Sequence, residues 1–170
     1  DIREEILKDF TLKTPLNKKN QEILDKINST ESVSLHFRRG DYTKKKNQKT
    51  YGTFTEEYYQ NAVKTIAEKT GKNITLFVFS DDINWVKKNV KFNYETVYAD
   101  INSSRQGYFD LELMKHCKHN IIANSSFSWW GAWLNENENK IVVAPEKWIA
   151  TLDSNYDIIP ENWITLQNLK

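Results

Sequence analysis

The stretch Asn73-Ile74-Thr75-Leu76-Phe77-Val78-Phe79 is an almost unbroken apolar run, and it stops abruptly at Ser80-Asp81-Asp82. Successive side chains of a strand point to opposite sides, so a strand this apolar needs cover on both faces. Parallel sheets flanked by helices provide that cover, which argues for an α/β chain rather than a sandwich or a helix bundle. The remaining pattern agrees. Ser32-Val33-Ser34-Leu35-His36-Phe37 alternates like a strand and runs into Arg38-Arg39-Gly40-Asp41, and further strands are expected at Glu95 to Tyr98, Asn120 to Ala123 and Lys140 to Pro145. Between them the spacing predicts helices over Thr53 to Thr70, Trp85 to Val90, Gly107 to Lys118 and Trp129 to Leu134. Thr53 with Glu56 resembles a capping box, and Gly71 supplies the stop. Residues 1–30 read as a lead-in of two polar helices separated at Pro15, and residues 31–170 as one α/β domain, a single Rossmann-like, doubly wound parallel sheet. Lys44 to Lys49 reads as a loop and Asn135 to Asn139 as a solvated turn.

Composition removes several classes. With 24 basic and 23 acidic side chains in 170 residues the net charge is +1, which gives no footprint for nucleic acid. No apolar run approaches the roughly 18 residues of a membrane span, and the start Asp1-Ile2-Arg3-Glu4-Glu5 lacks the pattern of a signal peptide. The chain opens without Met, inside an amphipathic pattern, and is expected to be part of something longer. Its one cysteine, Cys117, recurs with Phe109 and Leu113 on one helix face and is expected to be a packing residue in a reducing compartment. The expected localisation is cytoplasmic, with peripheral association of the full-length protein at the inner face of a membrane. His116 and His119 have no carboxylate or thiol set to complete a metal site, so none is expected.

In open α/β sheets ligands bind outside the carboxyl ends of the strands. Three polar clusters fall at that edge: His36 to Asp41, Ser80 to Asp82, and Asn124 to Ser128. Arg38 and Arg39 are adjacent, so one should face a ligand while the other braces, with Asp41 able to hold the bracing guanidinium. A guanidinium suits a diphosphate because its fork of donors matches phosphate oxygens; a surface ion pair is the plainer alternative. Asn124-Ser125-Ser126-Phe127-Ser128 opens a helix, where free N–H groups favour an anion, or where a serine simply caps a tryptophan-rich core helix. Asp81 and Asp82 can accept from sugar hydroxyls or a base, or cap the next helix, and Asp110 sits in the first turn of its helix. There is no Gly-x-Gly-x-x-Gly, no phosphate loop and no Gly-x-Ser-x-Gly, which sets aside dinucleotide oxidoreductases, P-loop proteins and serine hydrolases.

His36-Phe37-Arg38-Arg39-Gly40-Asp41-Tyr42, Phe79-Ser80-Asp81-Asp82, Asp110-Leu111-x-Leu113-Met114-x-x-Cys117 and Ala123-Asn124-Ser125-Ser126-Phe127-Ser128-Trp129-Trp130-Gly131-Ala132-Trp133-Leu134, in that order, resemble the α-1,2-fucosyltransferase family, glycosyltransferase family 11. The resemblance covers roughly residues 33 to 150. It implies inverting, metal-independent transfer of L-fucose from GDP-fucose to a glycan acceptor, α-1,2 to galactose, with no cofactor beyond the donor substrate. It implies too that residues 31–170 are the donor-binding, C-terminal domain of a two-domain GT-B enzyme whose N-terminal acceptor domain is absent here. By the same resemblance Arg38 would bind the β-phosphate, His36 and Arg39 would shape that site, and Asp110 would read guanine. Asp82 would contact the nucleotide, and Ser126, Phe127 and Ser128, in the turn that begins at Asn124, would hold the diphosphate. Asp41 is the candidate base, with bracing of an arginine as its other role. Two alternatives remain open: a carbohydrate-binding domain that stacks sugars on Trp129, Trp130, Trp133, Trp148 and Trp163, or a transferase using another GDP-sugar.

Overall fold

The computed structural model describes residues 2–52, 54–71, 73–152 and 157–169. Among them six strands, β1 (Glu31–Phe37), β2 (Ile74–Ser80), β3 (Glu95–Tyr98), β4 (His119–Ile121), β5 (Val142–Pro145) and β6 (Ile164–Leu166), form one sheet in the order β3-β2-β1-β4-β5-β6. Every pairing is parallel. This is the strand order of the doubly wound Rossmann fold, as expected from the apolar run at β2. The order reverses between β1 and β4, and the crevice beyond their carboxyl ends is where such sheets take ligands.

The α-helices among the described residues are α1 (Arg3–Asp9), α2 (Lys18–Ser29), α3 (Lys45–Tyr51), α4 (Glu56–Thr70), α5 (Ile83–Asn89), α6 (Gly107–His116) and α7 (Ser126–Trp133). The two faces of β2 carry two different cores. Leu76 and Val78 pack with Tyr58, Ala62, Val63 and Ile66 of α4 and Val86 of α5. Phe77 and Phe79 pack with Ile27 of α2 and Leu113, Met114 and Cys117 around α6. The Cys117 thiol is buried, held well above its ordinary pKa by desolvation, and directed at the Leu113 carbonyl, in keeping with a packing role.

β1 is chemically two-sided. Val33, Leu35 and Phe37 join the α4 core, while Ser32, Ser34 and His36 line the other side, with His36 in register beside Phe79. The serines are matched by polar partners. Ser32 Oγ accepts the Lys118 N–H at 3.1 Å, and Ser34 Oγ accepts Asn120 Nδ2 at 2.7 Å. Asn120 Nδ2 also donates to the Met114 carbonyl, and Asn135 Nδ2 donates both to the Cys117 carbonyl at 2.7 Å and to Asn120 Oδ1 at 2.8 Å. Asn135, read from its polar surroundings as solvated, is 2% exposed. Burial of an amide is tolerated here because its hydrogen bonds are all made within the chain.

Other departures are local. Lys44 to Lys49 is mostly helix, not loop, since Lys and Gln are good helix formers and Gly52, at φ 71°, ends α3 in a conformation other residues avoid. α4 starts at Glu56, because the Thr55 side chain accepts the Tyr58 N–H at 3.2 Å; Thr53, expected in the cap, lies outside the described residues. α7 starts at Ser126 rather than Trp129, and β6 has too short a pattern to be read from sequence. A Cβ on Gly131 would sit 3.0 Å from Met114 Cβ, so glycine lets α7 approach α6 closely. None of the six tryptophans is exposed: Trp129 packs on Trp130, Trp133 and Trp163, while Phe10 stacks on Trp130 at 4.8 Å. Among the described residues no helix is long and apolar enough to cross a membrane.

Asn135→Ala should destabilise the chain by about 2 to 4 kcal/mol, because it strands buried acceptors at Cys117 and Asn120. Urea denaturation measures this; a change within about 0.5 kcal/mol, typical of a surface site, would show that the amide is dispensable.

Candidate functional site

Beyond β1 the two arginines part. Arg38 Nη2 donates to Asp41 Oδ1 at 2.6 Å and its Nη1 pairs with Asp81 Oδ2 at 2.9 Å, so two carboxylates fix the guanidinium while further N–H groups remain for a ligand. Asp81 Oδ1 accepts the Arg39 backbone N–H at 2.8 Å, tying the end of β1 to the end of β2. Gly40 allows this approach: a Cβ there would come within 2.5 Å of Asp81 Oδ2. Arg39 turns to the α4 side, lying 3.2 Å from the centroid of Trp85 with Asp82 Oδ2 3.7 Å from its Nε. The strand-end alternation thus holds, but Asp41 braces Arg38, the arginine of the cleft, and not the one turned away.

The turn before α7 divides in the same manner. Asn124 Nδ2 donates to the carbonyls of Tyr51 and Trp148, both at 2.9 Å, and the Asn124 carbonyl accepts Tyr42 Oη; this residue ties loops together. Ser128 Oγ donates to the Ser125 carbonyl at 3.2 Å and is buried, and Ser126 is exposed at the first turn. No side chain caps α7, so its first N–H groups are open to an anion.

A cleft of about 470 Å³ opens at this edge, lined by His36, Arg38, Asp81, Asp82, Asp110, Ser125 and Phe127, all named from the sequence, and by Asp100 and Asn102 besides. Arg39, Asp41, Asn124, Ser126 and Ser128 do not line it. His36 is 5% exposed, with Nδ1 lacking a hydrogen-bond partner, and burial next to Arg38 pulls its pKa down to about 3, so the ring is neutral. Asp82 caps α5 by accepting the Trp85 N–H at 3.3 Å, so the capping alternative is realised in a residue that also faces the cleft. Burial pushes Asp110 up to about 6, partly offset by Asn102 Nδ2 donating to its Oδ1 at 2.7 Å. Asn102 and the bracing role of Asp81 were missed from sequence, because the first lies in a coil with no motif and the second depends on contact between two strand ends. Among the described residues no three His, Cys, Asp or Glu side chains group as metal ligands.

A Rossmann-order sheet with an arginine, an uncapped helix N-terminus and carboxylates around one cleft at its switch point defines a Rossmann-like α/β domain with a candidate ligand site at its carboxyl edge. The family model of glycosyl transferase family 11 matches residues 1–167, and the chain belongs to that family. The match extends past the motif-bearing stretch into α1 and α2. An alpha-1,2-colitosyltransferase of Escherichia coli is 40% identical over 89% of this chain and 53% of its own length. The Escherichia coli O-antigen biosynthesis glycosyltransferase WbnK is 38% identical over 89% and 54%, and the galactoside 2-alpha-L-fucosyltransferase SEC1 of Bos taurus is 28% identical over 78% and 38%. The chain spans about half the length of the two bacterial relatives. Among solved structures, that of POFUT1 in complex with GDP-fucose aligns at TM-score 0.49 and 12% identity over 89% of this chain and 47% of that one; the fold assignment rests on strand order instead.

Asp110 and His36, the shifted groups that line the cleft, act oppositely on stability. Asp110 holds its proton more tightly folded than unfolded, so stability falls as pH rises from its ordinary 3.8 to about 6 and is then constant. His36, lowered from 6.5 to about 3, loses stability as pH falls through that interval. Asp110→Asn removes only the first slope. The variant should gain on the parent chain progressively between pH 4 and pH 6 and by a constant amount above, in urea denaturation at each pH. A difference equal at all pH values would show that the Asp110 pKa is unshifted.

Proposed function

We propose that this chain is the donor-binding half of a family 11 glycosyltransferase that takes a GDP-linked sugar and passes it, with inversion, to a glycan hydroxyl. The observation that carries this is the placement of Arg38, clamped between Asp41 and Asp81, in one cleft with the open N-terminus of α7 and with Asp110. The diphosphate belongs at Arg38 and the helix N-terminus, where negative charge that grows as GDP departs is stabilised by fixed donors. These groups supply in place what a metal ion supplies in other transferases. Asp110, when ionised, is an acceptor for the two adjacent N–H donors of guanine. His36, neutral and unpartnered at Nδ1, offers one further polar atom to the donor.

Asp41, the candidate base, is held by Arg38 at 2.6 Å and does not line the cleft, which favours its bracing role. L-fucose is the donor sugar implied by the motifs, with α-1,2 transfer to galactose. A second reading, a transferase using a GDP-sugar other than GDP-fucose, is favoured by the 40% identity to a protein named as a colitosyltransferase. The carbohydrate-binding alternative is disfavoured, since Trp129, Trp130, Trp133 and Trp163 are packed against one another and Trp148 packs on the same hydrophobic cluster. The setting proposed for the full protein is the cytoplasmic face of a bacterial membrane.

Calorimetry with GDP tests the site. Arg38→Ala should weaken binding by at least about tenfold, the equivalent of one charge-assisted hydrogen bond. Parent-chain affinity should fall as pH drops below about 6, because a protonated Asp110 no longer accepts with both oxygens. Binding unaffected by Arg38→Ala would sink the assignment.

A further inference from the structure

Asp110 is not held alone. Asn102 Nδ2 donates to Asp110 Oδ1 at 2.7 Å, and it also donates to Asn20 Oδ1 at 2.8 Å, so both of its N–H groups are used. Asn20 Nδ2 returns a bond to Asn102 Oδ1 at 2.8 Å and gives its other hydrogen to Asn17 Oδ1 at 3.1 Å. The two amides form a closed pair, and the chain of donors has one direction, from Asn102 towards the carboxylate. Turning over the Asn102 amide would set its oxygen against both Asp110 Oδ1 and Asn20 Oδ1, so the surroundings permit one orientation. Asn17 is fixed in turn, because as the cap of α2 its Oδ1 accepts the Asn20 backbone N–H at 3.0 Å. Asn20 is fully buried, although it belongs to a polar helix of the lead-in and sits 82 residues from Asn102 in sequence.

A buried amide on a covering helix is more costly than an apolar side chain unless its bonds do something an apolar group cannot. Here they hold one oxygen of a carboxylate that has desolvated walls and, among the described residues, no cation bonded to it. We infer that Asn20 and Asn102 are positioning residues that aim the Asp110 carboxylate at the two adjacent N–H donors of a guanine base, so that α2 sets the base selectivity of the cleft. The inference rests on the proposed function, in which Asp110 reads the base. A carboxylate free to rotate would still accept one N–H; only a fixed plane accepts both at good geometry. The amide pair therefore acts on discrimination between guanine and hypoxanthine, which lacks the second donor, more than on nucleotide binding as such.

The test is calorimetry of the 170-residue chain with GDP and with IDP, in parallel with NMR titration of the Asp110 carboxyl carbon without ligand. Asp110→Asn should abolish the preference for GDP. Asn102→Ala should cut it by about tenfold, and Asn20→Ala by a smaller factor in the same direction, with IDP affinity falling less than GDP affinity. Asn102→Ala combined with Asp110→Asn should be no less selective than Asp110→Asn alone, since Asn102 acts through Asp110. Without ligand, Asn102→Ala should move the Asp110 titration upward from about 6, because the lost bond favours the ionised form. His36, Arg38, Asp81, Asp82 and Asp100 share the cleft and are unchanged in these variants. If Asp110→Asn abolishes the preference while both asparagine variants keep it and leave the titration in place, the positioning role is overturned. If Asp110→Asn itself keeps the preference, the reading of Asp110 fails and the selectivity claim with it, whatever the titration shows.

Discussion

Two central strands buried on both faces set the terms for everything else in this chain. β2 presents large apolar side chains to either side, and a sheet can satisfy that only by carrying helices on both faces. Parallel strands joined by crossover helices follow, and with them a fixed polarity: all strand carboxyl ends lie on one edge. The polar residues that follow β1, β2 and β4 in sequence are thereby gathered at that edge, although they come from segments 42 to 82 residues apart. The cleft is a consequence of the core.

The second constraint is the polar line on one face of β1. Ser32, Ser34 and His36 alternate with Val33, Leu35 and Phe37, so one face of a central strand brings hydrogen-bonding groups into the interior. The serines are satisfied by Lys118 and Asn120, and Asn120 by Asn135 and Met114. His36 continues the same line to the point where the sheet meets the cleft, and there its Nδ1 has no partner. Along one strand face the protein passes from structural polar groups to a group available for a ligand.

Charge in the cleft is arranged by contact more than by number. Arg38 lies between two carboxylates, which keeps it oriented and limits its reach. Arg39, its sequence neighbour, serves the opposite side of the sheet by stacking on Trp85. The acid side chains differ as much. Asp81 knits two strand ends, Asp82 caps a helix, and Asp110 lies in a partly desolvated position with an amide as its hydrogen-bond partner. Desolvation in turn raises the Asp110 pKa into the range where modest changes of pH alter its state.

The sequence by itself determined the architecture, the edge on which the candidate site lies, and the family. The first two follow from local facts: the period of apolar residues, the polar residues at strand ends, and the rule that strand neighbours face opposite ways. Motif residues His36, Arg38, Asp82, Asp110 and Phe127 were legible for the same reason, since each stands at an element end that the pattern locates. Tertiary structure decided what those residues touch. Whether Asp41 holds Arg38 or Arg39, that Asn124 and Ser128 serve the loop and the helix turn instead of lining the cleft, and that Asn135 is buried depend on distances between segments that no local pattern encodes. So does the pairing of Asn20 with Asn102. An asparagine on a polar helix looks like solvent-facing sequence until packing of α2 over the sheet removes its water and leaves another amide as its partner.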